Sequence, residues 1–105
     1  MIYLIRCLYG LAYVGKTFRQ LHTRISEHRS NIRTGDMRSP IASHFRQVGH
    51  NVSVLQYIGI EKVTNPSRGV DYEKKLLQRK CFWIYTLNTL SPLGLNEDFD
   101  IKPFL

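Results

Sequence analysis

Hydrophobic and polar residues alternate along the start of the chain in a way that predicts a β-hairpin. IYLIRCLYGLAYVGKT contains two short runs of strand-forming residues, at 2–7 and 11–14, which turn around Tyr9 and Gly10. β-Branched residues and partial alternation recur in VSVLQYIGI at 52–60. Three short strands are therefore expected.

Helical periodicity follows the hairpin. Thr17 with Gln20 has the pattern of a capping box and predicts a helix at 18–33, which Gly35 and Asp36 end. The hydrophobic stripe of this helix consists of Phe18, Leu21, Ile25 and Ile32. It is the pattern of a helix that packs one face on a core.

Proline and glycine mark the later elements. The Ser-Pro pair at 39–40 starts a short helix that stops at Gly49. The Asn-Pro pair at 65–66 ends the third strand, and a long helix is predicted at 71–87. The tail from 91 onward contains two prolines and a glycine and is expected to pack as an extended arm.

The predicted order is β-β-α-α-β-α. Because a tight hairpin joins antiparallel strands and a sheet needs apolar partners, an α/β chain of the α+β type is the economical arrangement. We expect a small three-stranded antiparallel sheet flanked by helices. With 105 residues and no repeat or linker, the chain is expected to form a single domain, 1–105.

Charge and cysteine usage narrow the function classes. Fifteen Lys and Arg against eight Asp and Glu leave +7, which favours a polyanionic partner, commonly nucleic acid. A basic, well-solvated surface is the alternative, and charge alone does not decide between the two. Cys7 and Cys81 make no disulfide framework, and no hydrophobic run approaches the roughly 18 residues of a membrane span. Without a signal peptide, an intracellular protein, nuclear or cytoplasmic, is expected.

The first predicted helix carries a candidate phosphate-binding face. Arg24 and His28 are four residues apart, so they are neighbours at the edge of the hydrophobic stripe. Arg29 and Arg33 extend the positive charge on another side. Arginine suits phosphate because its planar fork donates two parallel hydrogen bonds. The alternative is a solvated face with a histidine at its rim.

Two other positions have both structural and functional interpretations. Tyr3 and Tyr13 on the hairpin are usual core residues, and Gly15 permits close backbone approach but is also a usual turn residue. Lys80 lies in the middle of a hydrophobic face on the last helix. That face consists of Leu76, Trp83, Ile84 and Leu87. A charge there needs an explanation beyond packing.

Zinc binding is a further hypothesis. Cys7, His44 and His50 are the candidate ligands, but the histidines are six apart and only one cysteine lies near the start. Cys81 follows Lys80 within the last helix, which indicates packing. The sequence argues against a zinc site.

Together these residues resemble the GIY-YIG nuclease domain. MIY matches the first motif with Met1 in place of glycine, and YVG at 13–15 matches the second. TFRQLHTRISEHRSNI follows the pattern of the first helix, including Arg24 and His28, and LGLN ends in a matching Asn96. More narrowly, SPIASHF, GHNVS, QRKCFWIYTLNTLSPLGLNEDFD and the closing PFL resemble the nuclease domain of Penelope-like retroelements, where it is attached to reverse transcriptase.

The resemblance implies a GIY-YIG-like fold and DNA cleavage with one divalent metal ion, Mg²⁺ or Mn²⁺. Tyr3 and Tyr13 would then position or deprotonate the attacking water. Arg24 would hold the scissile phosphate with His28 beside it, and Asn96 would brace the site. Residues expected to contact phosphate are Gly15, Lys16, Arg24, Arg29 and Lys80. The resemblance implies DNA as the partner. It also implies a longer parent protein that contains a reverse-transcriptase region.

Lys80 departs from this pattern. It corresponds to the family's metal-binding glutamate, three residues before the tryptophan, on a face that looks into the catalytic cleft. Magnesium prefers oxygen ligands and an ammonium group has none. Glu73 shares the face but lies about 10 Å away along the axis. A second departure, Tyr9 in place of a cysteine, further weakens the zinc hypothesis.

The sequence therefore favours a degenerate nuclease domain with cleavage lost or severely impaired. The alternative of an active nuclease is supported by the near-complete set of motifs, but Lys80 argues against it. Two further alternatives stay open, a non-cleaving nucleic-acid-binding module and a nonfunctional retroelement remnant. The arginines that support binding are Arg24, Arg29, Arg33 and Arg38.

Overall fold

One antiparallel sheet of three strands forms the centre of the fold. The structure is a computed structural model, which describes residues 1–7, 10–36, 38–47, 49, 55–64 and 69–97. Strand β1 (Ile2–Arg6) lies in the middle, between β2 (Ala12–Lys16) and β3 (Gln56–Glu61). Both pairings are antiparallel. The predicted α+β class and three-stranded sheet are confirmed.

Three helices cover the two faces of this sheet. They are α1 (Leu21–Thr34), α2 (Pro40–Gln47) and α3 (Gly69–Leu87). Successive side chains of β1 point to opposite faces, so Tyr3 and Ile5 join the core under α1 and α2, whereas Ile2 joins the core under α3. None of the described helices has both the length and the hydropathy needed to cross a membrane.

Each face buries its own hydrophobic cluster. The buried residues under α1 and α2 are Tyr3, Ile5, Cys7, Ile25, Ile41, Phe45 and Leu55. Those under α3 are Ile2, Val14, Val63, Leu76 and Ile84. Burying one such aliphatic side chain contributes about 1.5–3 kcal/mol. The sheet thus holds the helices in place from both sides.

Helix α1 begins later than the capping-box pattern predicted. Thr17 Oγ1 accepts a hydrogen bond from the backbone N–H of Arg19 at 3.0 Å, so it caps the turn before the helix. Gln20 is the N-cap and makes no side-chain capping hydrogen bond. Phe18 therefore lies outside the helix, 57% exposed, and the prediction that it joins the hydrophobic stripe is wrong.

Other helix ends follow the predicted signals. Gly35 adopts φ 71°, and its N–H bonds to the carbonyls of Asn31 and Ile32 to close α1. Ser39 Oγ accepts a hydrogen bond from the N–H of Ala42 at 3.3 Å at the start of α2. Predictions for Tyr9, His50, 52–54 and 65–66 lie outside the described residues.

The described part of the tail turns back on itself, so the predicted extended arm is wrong there. The N–H of Ser91 bonds to Asn96 O at 2.7 Å, and the N–H of Gly94 bonds to Leu90 O at 2.9 Å. A Cβ at Gly94 would lie 2.6 Å from the carbonyl carbon of Thr89. Because Gly94 has no side chain, the chain can make a tight turn here, and the backbone groups of the turn hydrogen-bond to one another.

The end of β3 anchors α3. Glu61 Oε1 accepts hydrogen bonds from Arg79 Nε and Trp83 Nε1, each at 2.8 Å. Although partial burial opposes it, these hydrogen bonds lower the pKa of Glu61. Trp83 thus has a polar role at the edge of the helix as well as its predicted hydrophobic one.

Candidate functional site

The hydroxyl of Tyr3 is the centre of a hydrogen-bonded cluster. Its oxygen lies 2.8 Å from His28 Nε2 and accepts a hydrogen bond from Arg24 Nε at 3.2 Å. Tyr3 is fully buried and His28 is 3% exposed. Arg24 and His28 reach the same atom from successive turns of α1, as residues four apart do. The structure therefore brings together three of the predicted site residues.

Strand β2 adds two more predicted residues. The ring of Tyr13 lies edge-on to His28, with centroids 5.9 Å apart. Gly15 pairs with Tyr3 across the strands, and a Cβ there would come within 2.7 Å of Tyr3 Cε2. Gly15 was expected where the strand gives way to the helix, but it lies inside β2. Its missing side chain makes room for the tyrosine ring.

Asn96 hydrogen-bonds to the backbone of β2 at Val14, the residue between Tyr13 and Gly15. Its Oδ1 accepts a hydrogen bond from the N–H of Val14 at 2.8 Å, and its Nδ2 donates to Val14 O at 2.9 Å. Thr89 Oγ1 donates to the same Oδ1 at 2.8 Å. Asn96 therefore positions the strand that carries the second motif. Thr89 was not predicted, because no local pattern marks it.

Burial sets the protonation of the cluster. Burial and the charge of Arg24 lower the pKa of His28 to about 4, so its ring is neutral at pH 7. Burial and the neighbouring Tyr13 raise the pKa of Tyr3 above its ordinary value, and Arg24 offsets this only in part. The phenol is therefore also neutral at pH 7.

The tautomer of His28 follows from its surroundings. Its Nδ1 is buried and has no hydrogen-bond partner among the described residues. A buried N–H without an acceptor is rarer than an acceptor without a donor, so we assign the proton to Nε2. His28 then donates to the oxygen of Tyr3, as Arg24 does, and the Tyr3 proton is available to a third partner.

Glu27 joins the solvent side of the cluster. Its carboxylate forms an ion pair with Arg19 and lies 3.7 Å from Arg24 Nη1. The Arg24 side chain is 29% exposed, which makes it the member of the cluster that a ligand can reach. Glu27 was not predicted, and its spacing of three from Arg24 was its only sequence signal.

Two predicted phosphate-binding residues lie away from the cluster. Lys16 pairs with Ile2, so its side chain leaves the sheet on the face opposite to Tyr3, and its Nζ lies 5.5 Å from the ring centroid of Phe18. The guanidinium of Arg29 lies 5.6 Å from the ring centroid of Tyr57, on the other edge strand. Neither reaches Tyr3.

Lys80 lies on the face of α3 that packs against the sheet. Leu76 and Ile84, four residues before and after it, are fully buried in one core with Val14. Helical geometry puts Lys80 between them. Leu87 is 42% exposed and lies outside the core, contrary to prediction. Helix α3 packs mainly on β2, the edge strand that carries the second motif.

The described side chains include no group of three or more His, Cys, Asp or Glu that could hold a metal ion. Lys80 has no oxygen, and Glu27 is engaged with arginine. Cys7 Sγ and His44 Nε2, two of the zinc candidates, are 3.2 Å apart. The third, His50, lies outside the described residues.

Comparison with known proteins identifies the family. The family model described as the GIY-YIG catalytic domain matches residues 1–85. The chain belongs to the GIY-YIG family. This match includes the Tyr3 cluster and α3 up to Tyr85, and it ends before Asn96.

A solved structure shows the same fold. It is the catalytic domain of the homing endonuclease I-TevI, with a TM-score of 0.69 and 22% sequence identity. The alignment covers 92% of this GIY-YIG chain and 96% of that chain. No match was found among curated proteins. At this identity the likeness concerns the fold.

Replacing Gly15 should displace the ring of Tyr3. We expect Gly15→Ala to lower the free energy of unfolding by about 1–3 kcal/mol, because the added methyl group overlaps a fully buried ring. Urea unfolding measures the change. Gly59→Ala is the matched control. Gly59 also pairs with Tyr3, but a Cβ there would approach no atom closer than Sδ of the flexible Met1 side chain, at 3.1 Å. Equal losses in both variants would contradict this packing.

The buried histidine should make stability depend on pH. The unfolded chain binds a proton at His28 near pH 6.5, whereas the folded chain binds it only near pH 4. The free energy of unfolding should therefore fall as the pH is lowered from 6.5 to 4, by up to roughly 3 kcal/mol from this group. Urea unfolding across this range measures it.

His28→Gln should remove this component of the pH slope. His22→Gln, at an exposed position on the same helix, should retain it. An unchanged slope in His28→Gln would show that His28 titrates normally in the folded chain.

Proposed function

We propose that the chain is a GIY-YIG-type DNA endonuclease domain whose metal-dependent cleavage is lost or severely impaired, and which retains DNA binding. The observation that carries this proposal is Lys80, on the sheet-facing side of α3, at the position of the family's metal-binding glutamate. A magnesium or manganese ion would supply a polarised water and charge stabilisation in a cleaving member. The side chains described for this chain offer it no ligand set.

Arg24 is the residue best suited to hold a DNA phosphate. Its Nε is fixed on the Tyr3 hydroxyl, which aims the partly exposed guanidinium outward. The 3.7 Å separation from Glu27 is longer than a hydrogen bond, so a phosphate oxygen can replace that contact. The net charge of +7 favours the approach of a polyanion.

The protonation states leave neither Tyr3 nor His28 matched to the role of a general base. An effective general base has a pKa near the working pH. Burial moves the pKa of Tyr3 above its ordinary value and that of His28 down to about 4, so neither group matches this requirement. Tyr13, which is only partly buried, can still orient a water or phosphate oxygen. Without a metal to activate water, this orientation does not generate a nucleophile.

A retroelement origin is part of the proposal. It rests on the resemblance of the segments around Lys80 and Asn96 to the nuclease domain of Penelope-like elements. It implies a single nuclease-like domain, 1–105, derived from a parent protein with a reverse-transcriptase region. The similar structure is the catalytic domain of a homing endonuclease, which is consistent with DNA as the partner.

Nicking of supercoiled plasmid with magnesium or manganese tests the proposal. We expect no nicking by the native chain and measurable nicking by Lys80→Glu, because the carboxylate restores an oxygen ligand. Tyr13→Phe in that background should abolish the gain, which excludes a contaminating nuclease. Clear metal-dependent nicking by the native chain would overturn the proposed loss of cleavage.

Binding to a duplex by the same proteins separates the remaining alternatives. The native chain should bind at low salt, with log affinity falling against log salt by roughly 0.9 per neutralised phosphate. Absence of both nicking and binding would contradict the proposal and favour the nonfunctional remnant.

A further inference from the structure

An open cleft lies where β2 leads into α1. It has a volume of about 270 Å³ and is termed the Phe18 cleft. The side chains that define it are Phe18, Arg19, Lys62 and Tyr72. They come from the turn before α1, the end of β3 and the start of α3, so the fold assembles the cleft from distant parts of the chain.

Two aromatic rings form one wall of the Phe18 cleft. Phe18 is 57% exposed and belongs to neither hydrophobic core. Its ring centroid lies 5.6 Å from that of Tyr72, and the two planes are inclined at 57°. An exposed phenylalanine fixed beside a second ring offers a flat apolar surface to a planar ligand.

The charges around these rings favour a nucleotide over a neutral aromatic ligand. Lys16 Nζ lies 5.5 Å from the Phe18 centroid, and Arg19 and Lys62 line the cleft. None of the described residues that line it is acidic. Aromatic platforms flanked by cations are typical of surfaces that stack bases and hold the backbone of single strands.

A series of charged contacts connects the Phe18 cleft to Arg24, the residue proposed to bind phosphate. Arg19 of the cleft pairs with Glu27, and Glu27 lies 3.7 Å from Arg24. A strand with one phosphate at Arg24 would therefore pass close to the cleft. A base inside a continuous duplex is stacked on both faces, whereas an unpaired base has a free face for an aromatic side chain.

We propose that the Phe18 cleft stacks an unpaired base of a DNA strand whose phosphate is held at Arg24. The domain then prefers DNA with an unpaired nucleotide to a continuous duplex. This inference rests on the proposed function in taking DNA as the partner and Arg24 as the phosphate-binding residue, and it holds whether or not the chain cleaves.

Two labelled DNAs test the inference with the full chain at low salt. One is a continuous duplex, and the other is the same duplex with a single bulged 2-aminopurine. Fluorescence anisotropy should show about tenfold tighter binding to the bulged DNA, in line with the stacking of one base. The 2-aminopurine fluorescence should fall on binding as the base stacks.

Variants assign the effect to the cleft. Phe18→Ala should remove the preference and the quenching while changing the affinity for continuous duplex less than about twofold, and Phe18→Trp should restore both. Tyr85→Ala is the matched control, because Tyr85 is 77% exposed on α3 and lies outside the lining of the cleft. It should leave both readouts unchanged.

Other outcomes overturn the inference. Equal native affinity for both DNAs would refute base stacking in the Phe18 cleft while leaving DNA binding intact. An equal loss of affinity for both DNAs in Phe18→Ala would make Phe18 a general contact instead. A change in oligomeric state of that variant in sedimentation would show that the cleft is covered by a second copy. Absence of binding to either DNA would defeat the proposed function as well.

Discussion

A buried phenol hydroxyl that needs hydrogen-bond partners fixes how α1 sits on the sheet. Leaving the buried Tyr3 oxygen without a donor would cost about 1–3 kcal/mol, and Arg24 and His28 both donate to it. The ring itself fits only because Gly15 has no side chain. The contacts that stabilise the fold are thus the ones that aim Arg24 at solvent. In the proposed function, stability and phosphate recognition therefore depend on the same side chains.

The face around Lys80 is organised differently. Leu76 and Ile84 supply the packing of α3 on the sheet, and the residue between them contributes charge at the edge strand. A change of charge at that position can therefore alter metal binding without removing the core that holds the helix. In the proposed function, this separation lets a chain keep the GIY-YIG fold without a carboxylate at the metal-binding position.

The spacing of residues along the sequence predicted those contacts that form within one helix or between neighbouring strands. Arg24 and His28 meet at one atom because residues four apart on a helix are neighbours, and the strand alternation gave the two faces. Contacts between distant segments left no such signal. Asn96, which only the family resemblance had implied, hydrogen-bonds to Val14, 82 residues earlier in the chain. The compact turn before it depends on Gly94. The start of α1 was predicted too early because the Thr17 hydroxyl accepts its hydrogen bond from Arg19, in the turn before the helix, and not from a residue of the helix.

Manganese binding tests the central claim most directly, since it measures the loss of the metal site without requiring catalysis. Mn²⁺ is titrated into the native chain and Lys80→Glu while the backbone amide resonances of Tyr13 and Arg24 are followed. The account predicts localised paramagnetic broadening of these resonances in the glutamate variant only. The same broadening in the native chain at similar Mn²⁺ concentrations would contradict it, because other ligands would then hold the metal beside the tyrosine cluster.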